Sequence, residues 1–137
     1  MKKAIPFSII TITILFSLAA TAAADSFSQA STKGLFKVDL SLAGKNLRVG
    51  KNTAEILILD QNNKEVKGAR VTALPLIYRH GESTLVKPRV TEKVEGRYSI
   101  EDIYIETPGH WVLKITIRKD DKEDSVSFDF PEVKREV

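Results

Sequence analysis

The side chains in this sequence best suited to chemistry are two histidines, His80 and His110. A pair of imidazoles brought close together can ligate copper or zinc, with Glu82 or Glu106 as a candidate third ligand. Two nitrogen ligands fall short of a closed zinc site, so the competing reading is a pair of solvated or hydrogen-bonded turn residues. The acidic run Asp120, Asp121, Glu123 and Asp124 is a second candidate, for calcium. It lacks the regular aspartate spacing and closing glutamate of a dedicated calcium loop, and Lys119 and Lys122 interrupt it. It reads better as a solvated hairpin tip that discourages edge pairing. Trp111, Tyr78, Tyr98 and Tyr104 could form an aromatic platform for a sugar or peptide. Trp111, however, continues an apolar stripe and reads as core.

Covalent catalysis finds no support. There is no cysteine, which removes thiolate catalysis, disulfides and cysteine zinc sites together. Nucleophile-elbow, phosphate-loop, zincin and dinucleotide motifs are all missing from the sequence. The expectation is a protein that is not an enzyme.

The elements that must position these residues follow from hydropathy. Lys2 and Lys3 precede an uncharged run from Ala4 to Ala20 that closes on Thr21-Ala22-Ala23-Ala24. This three-part layout predicts a signal peptide over residues 1–24, cut before Asp25. The alternative is a retained membrane anchor through residues 4–24, since about 20 apolar residues can span a bilayer. Cleavage would leave 137 less 24, or 113 residues, and lower the formal charge from +3 to +1 as Lys2 and Lys3 leave. A chain of that size holds one domain. Its near-neutral, interspersed charge argues against nucleic acid as a partner, and if the signal is cleaved no stable membrane span is expected.

Residues 25–33 are small and polar and predict a flexible leader. From Gly34 the period becomes two: Phe36, Val38, Leu40 and Leu42 alternate with polar residues. Ala54–Leu59 is apolar on both faces, as in a central strand. Ala69–Tyr78 carries Pro75, which marks an edge position or a bulge. Leu85–Val94 and Arg97–Ile105 are joined by Glu95-Gly96, a two-residue hairpin signal. A phase slip at Glu101-Asp102 predicts a bulge. Trp111, Leu113, Ile115 and Ile117 alternate cleanly, and Val126, Phe128 and Phe130 follow before Pro131 ends the run. About seven strands with turns at short intervals predict an all-β, antiparallel, immunoglobulin-like β-sandwich over residues 34–131, with 132–137 a frayed tail. Strands running alternately up and down would place His80 and His110 at one end and the acidic run at the other.

Two stretches carry a family resemblance. One is Leu47-Arg48-Val49-Gly50-Lys51-Asn52 through Asp60, then Gly68-Ala69-Arg70-Val71. The other is Gly96-Arg97-Tyr98, then Pro108-Gly109-His110-Trp111-Val112-Leu113, with His80-Gly81 between. Together they resemble the YtkA-like family, related in pattern to FixH-like proteins, over roughly residues 34–130. The resemblance implies a small β-sandwich of the cell envelope. Some members look linked to copper handling or oxidase assembly, with methionine and histidine before the His-Gly step. This sequence departs from them there, with Ala73-Leu74-Pro75-Leu76-Ile77-Tyr78 and no methionine but Met1. The functional expectation is a periplasmic or secreted binding module that contacts an envelope protein and carries no cofactor. Copper or zinc handling through His80 and His110 is the alternative.

Overall fold

The computed structural model describes residues 26–82 and 86–136. The expected signal segment, residues 1–24, lies outside them. Every strand pairing in the two sheets is antiparallel. The first sheet has the order β1-β2-β3-β7-β6 and the second β5-β4-β8-β9. The strands are β1 (Ser26–Ala30), β2 (Phe36–Leu42), β3 (Gly50–Asp60), β4 (Arg70–Ile77), β5 (Gly81–Glu82), β6 (Arg89–Val94), β7 (Arg97–Ile105), β8 (Gly109–Lys119) and β9 (Lys122–Val133). The seven expected strands are β2, β3, β4, β6, β7, β8 and β9. The additions are β1 and the two-residue β5.

Period-two alternation decides which side chains face inward. Val38 and Leu40 of β2, Ile56 and Ile58 of β3, and Tyr98 and Ile100 of β7 meet Leu113, Ile115 and Ile117 of β8 and Val126 and Phe128 of β9 between the sheets. Removing such aliphatic side chains from water, at about 1.5–3 kcal/mol each, is the main force closing a chain without disulfides. The phase slip on β7 is a real bulge. Ile100 pairs with Ala54 and Ile103 with Asn52, so Glu101 and Asp102 stand opposite one residue, and Asp102 takes φ 62°. The slip turns Ile103 and Ile105 back to the core, where both are buried. Glu95-Gly96 is the turn between the paired Val94 and Arg97. Gly96 has φ 79°, and a Cβ there would stand 2.6 Å from the Cβ of Glu65, so turn and packing both demand glycine. Among the described residues β5 pairs with Leu76 and Ile77 alone, so there Pro75 stands at an edge of β4.

Three expectations need correction. The expected flexible leader, residues 25–33, is structured from Ser26 onward. Ser26–Ala30 form β1, paired in register with Ser41 back to Lys37, and Phe27 packs edge-on against Phe130 at 5.5 Å. A short polar strand on a sheet edge needs little apolar content of its own, which is why composition concealed it. Pro131 does not end β9, and the tail is not frayed from Glu132. Pro131 and Glu132 bulge opposite His110, so the missing N–H is tolerated, and the strand continues to the buried Val133. Lys134 then bridges to Arg48, and Val49 N donates to its carbonyl at 3.1 Å.

Asp124 is the third correction. The hairpin tip is only Asp120-Asp121, between the paired Lys119 and Lys122. Asp124 lies inside β9 and is 4 % exposed. Its carboxylate accepts hydrogen bonds from Ser31 Oγ at 2.6 Å, Lys33 N at 2.9 Å, Leu35 N at 3.3 Å and Ser125 N at 2.8 Å. The loop after β1 is thereby fastened to the opposite sheet, with Thr32 N adding a bond to Ser125 O at 2.9 Å. Burial pushes the Asp124 carboxyl up, but these donors outweigh it and hold the carboxyl below the usual aspartate range. A depressed carboxyl contributes stability at neutral pH that is lost as pH falls through its folded-state value. Asp124→Asn is therefore expected to lower unfolding free energy at pH 7 by about 1–3 kcal/mol. The gap between variant and parent should shrink on acidification below about pH 4, the ordinary aspartate range. Urea melts at pH 7, 5 and 3 check this, and a gap that does not change with pH would refute the charged clamp.

Candidate functional site

The candidate site is built where β4 meets β8. Ile77 pairs with Trp111, whose side chain is 1 % exposed and whose Nε1 donates to Thr107 O at 2.8 Å. The expectation that Trp111 is core rather than platform therefore holds. One residue further along, Tyr78 N donates to His110 O at 2.9 Å. The chain then turns through Tyr78-Arg79-His80 into β5, with His80 N closing on Ile77 O at 3.0 Å and Arg79 at φ 67°. This three-residue loop and the start of β8 share one end of the second sheet, so His80 and His110 do lie at the same end.

The structure assembles a stack at that end, and only one histidine belongs to it. The His110 and Tyr78 rings lie 4.0 Å apart at 20°, and the Arg79 guanidinium sits 5.2 Å from the Tyr78 ring centre. His110 Nε2 meets the Asp129 carboxylate of β9. Arg79, Tyr78, His110 and Asp129 thus form one continuous surface chain from the loop after β4 across β8 to β9, and Tyr78 is 44 % exposed. His80 is exposed in the loop. Glu106 is exposed in the turn before β8. Among the described residues no group of three or more histidine, cysteine, aspartate or glutamate side chains converges on a common point. Tyr104 belongs to the other sheet, paired in register with Lys51, and Tyr98 is a core residue at 2 % exposure. The Tyr98 hydroxyl donates to Val66 O at 2.8 Å and accepts from Ala69 N at 3.1 Å, tying β7 to the connection before β4.

Beside the stack the outward face of the second sheet is apolar. Leu76 stands opposite Val112, and Leu74 lies two residues further along β4 on the same face. All three are half-buried by their neighbours rather than covered. The first sheet differs. Its outer face bears Lys37, Asp39, Ser41, Glu55, Arg97 and Ser99, interrupted by Leu57 and Leu59. Reading the sequence for chemistry missed Arg79 and Asp129, and with them Leu74, Leu76 and Val112. The signal was the period-two series Arg70, Thr72, Leu74, Leu76, Tyr78, but only cross-strand register shows which residues of β8 and β9 join it. A separate groove of about 680 Å³ runs between the edges of β1 and β9, lined by Phe27, Leu47, Phe130 and Val133 with Lys45 and Lys134 at its rim.

Residues 32–116, from just before β2 through most of β8, match the model of the YtkA-like family. The chain belongs to the YtkA-like family. The matched span includes Tyr78, Arg79, His80 and His110 but stops short of Asp129, so the stack crosses the boundary of the family pattern. Among solved structures, this YtkA-like domain is similar to a DUF4785 family protein from Legionella pneumophila subsp. pneumophila str. Philadelphia 1, at 11% identity and TM-score 0.51. That match covers 74% of this chain and 29% of the other, and shows likeness of fold alone. No curated protein matches this chain.

Stacked rings typically couple by about 0.5–1.5 kcal/mol beyond the area they bury. A double-mutant cycle of Tyr78→Ala and His110→Ala, read in urea melts, is expected to return a coupling in that range. Simple additivity would show that the two rings do not hold one another in solution.

Proposed function

We propose that this YtkA-like domain is an exported, non-catalytic accessory module of the bacterial cell envelope. It contacts a protein partner through the outer face of β4 and β8. The observation that carries this reading is the contrast between the two outer faces. One is charged and polar except at Leu57 and Leu59. The other presents Leu74, Leu76 and Val112 beside an exposed tyrosine flanked by arginine and histidine. Tyrosine and arginine around a small aliphatic centre are the residue types that dominate interface energetics. The sequence supports export through the lysine-led apolar segment ending in Ala22-Ala23-Ala24, and supports a non-catalytic role through its lack of nucleophile and phosphate-binding motifs.

A photo-crosslinking residue placed at Val112, with one at Ser41 on the other sheet as control, tests the interface in cells. A discrete adduct from position 112, lost when Leu76→Asp is added, is expected. Adducts of equal yield from both positions, or none from position 112, would sink the reading.

A second reading, copper or zinc handling, draws on the two histidines bordering one loop and on the carboxylate already facing His110. Under the leading reading, titration of copper or zinc into the purified protein shows no saturable site that depends on histidine. Saturable binding abolished by His80→Ala together with His110→Ala would instead favour metal handling.

A further inference from the structure

The outer face of the second sheet is not uniform along its strands. Running back from Tyr78, just past the end of β4, the outward residues are Tyr78, Leu76, Leu74, Thr72 and Arg70. Their register partners on β8 are His110, Val112, Lys114, Thr116 and Arg118. The face therefore passes from aromatic and aliphatic at the loop end to cationic at the other. Arg70 and Arg118 stand directly opposite one another, and both are exposed. Like charges in that position oppose sheet pairing. Glu123 stands next to Arg118 on β9, yet among the described residues neither guanidinium has a carboxylate within ion-pair distance. Lys114, also exposed and also without an ion-pair partner there, stands directly opposite Leu74, with Thr72 and Thr116 separating that pair from the arginines. Three cations on one face thus have no ion-pair partner among the described residues, with Glu123 the carboxylate standing next to them in register, and they lie in line with an apolar strip.

We propose that this face receives an acidic amphipathic helix of a partner protein, its apolar stripe on Leu74, Leu76 and Val112 and its carboxylates on Lys114, Arg70 and Arg118. The proposal rests on the protein-partner reading above and names the chemistry of that partner. A segment laid across the face of a sheet must satisfy its own backbone hydrogen bonds, and a helix does so. From Leu76 to Arg70 the face runs about 20 Å at a strand rise of 3.4 Å per residue, which a helix covers in about four turns. Guanidinium groups hold carboxylates with two parallel bonds, which suits a site where two arginines are already side by side. A lipid surface is the weaker fit, because the leucines and Val112 lie half-buried along the sheet with little to insert into a bilayer.

The test uses the full chain in non-ionic detergent and a fluorescent helical peptide of about 18 residues, long enough for five turns. Its first two turns carry glutamates, where the helix dipole favours them, and a leucine stripe follows. Companion peptides carry glutamine or lysine in place of glutamate. The glutamate peptide is expected to bind at least about tenfold tighter than the glutamine peptide at low salt, with the difference shrinking as salt screens it. Arg70→Glu with Arg118→Glu is expected to reverse the preference toward the lysine peptide, while Lys93→Glu on β6 leaves it unchanged. Because both arginines are exposed and mutually repelling, Arg70→Gln with Arg118→Gln serves as a milder variant, expected to erase the preference without reversing it.

Equal binding of glutamate and glutamine peptides, or a glutamate preference that survives charge reversal, overturns the proposal. If Leu76→Asp abolishes binding of both peptides while the arginine variants change nothing, the interface stands and its acidic partner falls. Binding to phosphatidylglycerol vesicles that depends on Arg70 and Arg118, with no peptide binding, assigns the face to lipid and overturns the proposal as well.

Discussion

With no cysteine in the chain, nothing covalent holds the two sheets together, and the whole architecture depends on burying their inner faces against one another. Each sheet offers an alternating aliphatic strip, and neither strip is stable in water alone. Stability therefore requires that the facing strips stay in register and that the ends and open edges of the sandwich be sealed. Trp111 is buried at the start of β8, and the β7 bulge keeps Ile103 and Ile105 inside after the strand would otherwise have turned them out. Slipping any inner strand by one residue would reverse its faces, which is why the register is strongly specified here.

The seals are polar, and each is fully engaged. Asp124 collects donors from the loop after β1 and from its own strand, joining an edge of the first sheet to an edge of the second. Tyr98 reaches from the core to the backbone of Val66 and Ala69. Asn52 folds the approach to β3 onto itself, accepting from Arg48 N at 3.0 Å and donating to Arg48 O at 2.8 Å. Buried polar groups of this kind cost free energy unless paired, so each acts as a test of correct closure as well as a tie. None of these ties involves the outer face of the second sheet. There Leu74, Leu76 and Val112 are half-buried, and the Arg79–Tyr78–His110–Asp129 stack is held by contacts among its own members.

The stack shows how tertiary geometry changes the meaning of a residue. On sequence alone His80 and His110 are an equivalent pair. In the folded chain one is a loop residue, and the other is held between a tyrosine ring and a carboxylate, part of a surface that runs from the loop after β4 across β8 to β9. Asp129, which completes that surface, comes from the far side of the β8–β9 hairpin and would not be chosen from spacing.

What the amino-acid sequence determined by itself is the set of elements whose signal is local. The alternation of Phe36–Leu42 and Trp111–Ile117, the Glu95-Gly96 turn, the phase slip at Glu101-Asp102 and the choice of edge or bulge at Pro75 are each visible within a few residues. They are legible because side-chain period and turn conformation are short-range physics. The tertiary structure alone decided the roles of Ser26–Ala30, Asp124, Pro131 and the outer-face pairs. The first became a strand because an edge of β2 was there to receive it. Asp124 became a buried hub because the loop at Ser31–Leu35 folds over it, and Pro131 was tolerated because the strand bulges opposite His110. Arg70 and Arg118 became neighbours, and Leu76 and Val112 a surface, only through the register of β4 on β8. That register is set by contacts between residues some 35–50 positions apart, which no local pattern encodes.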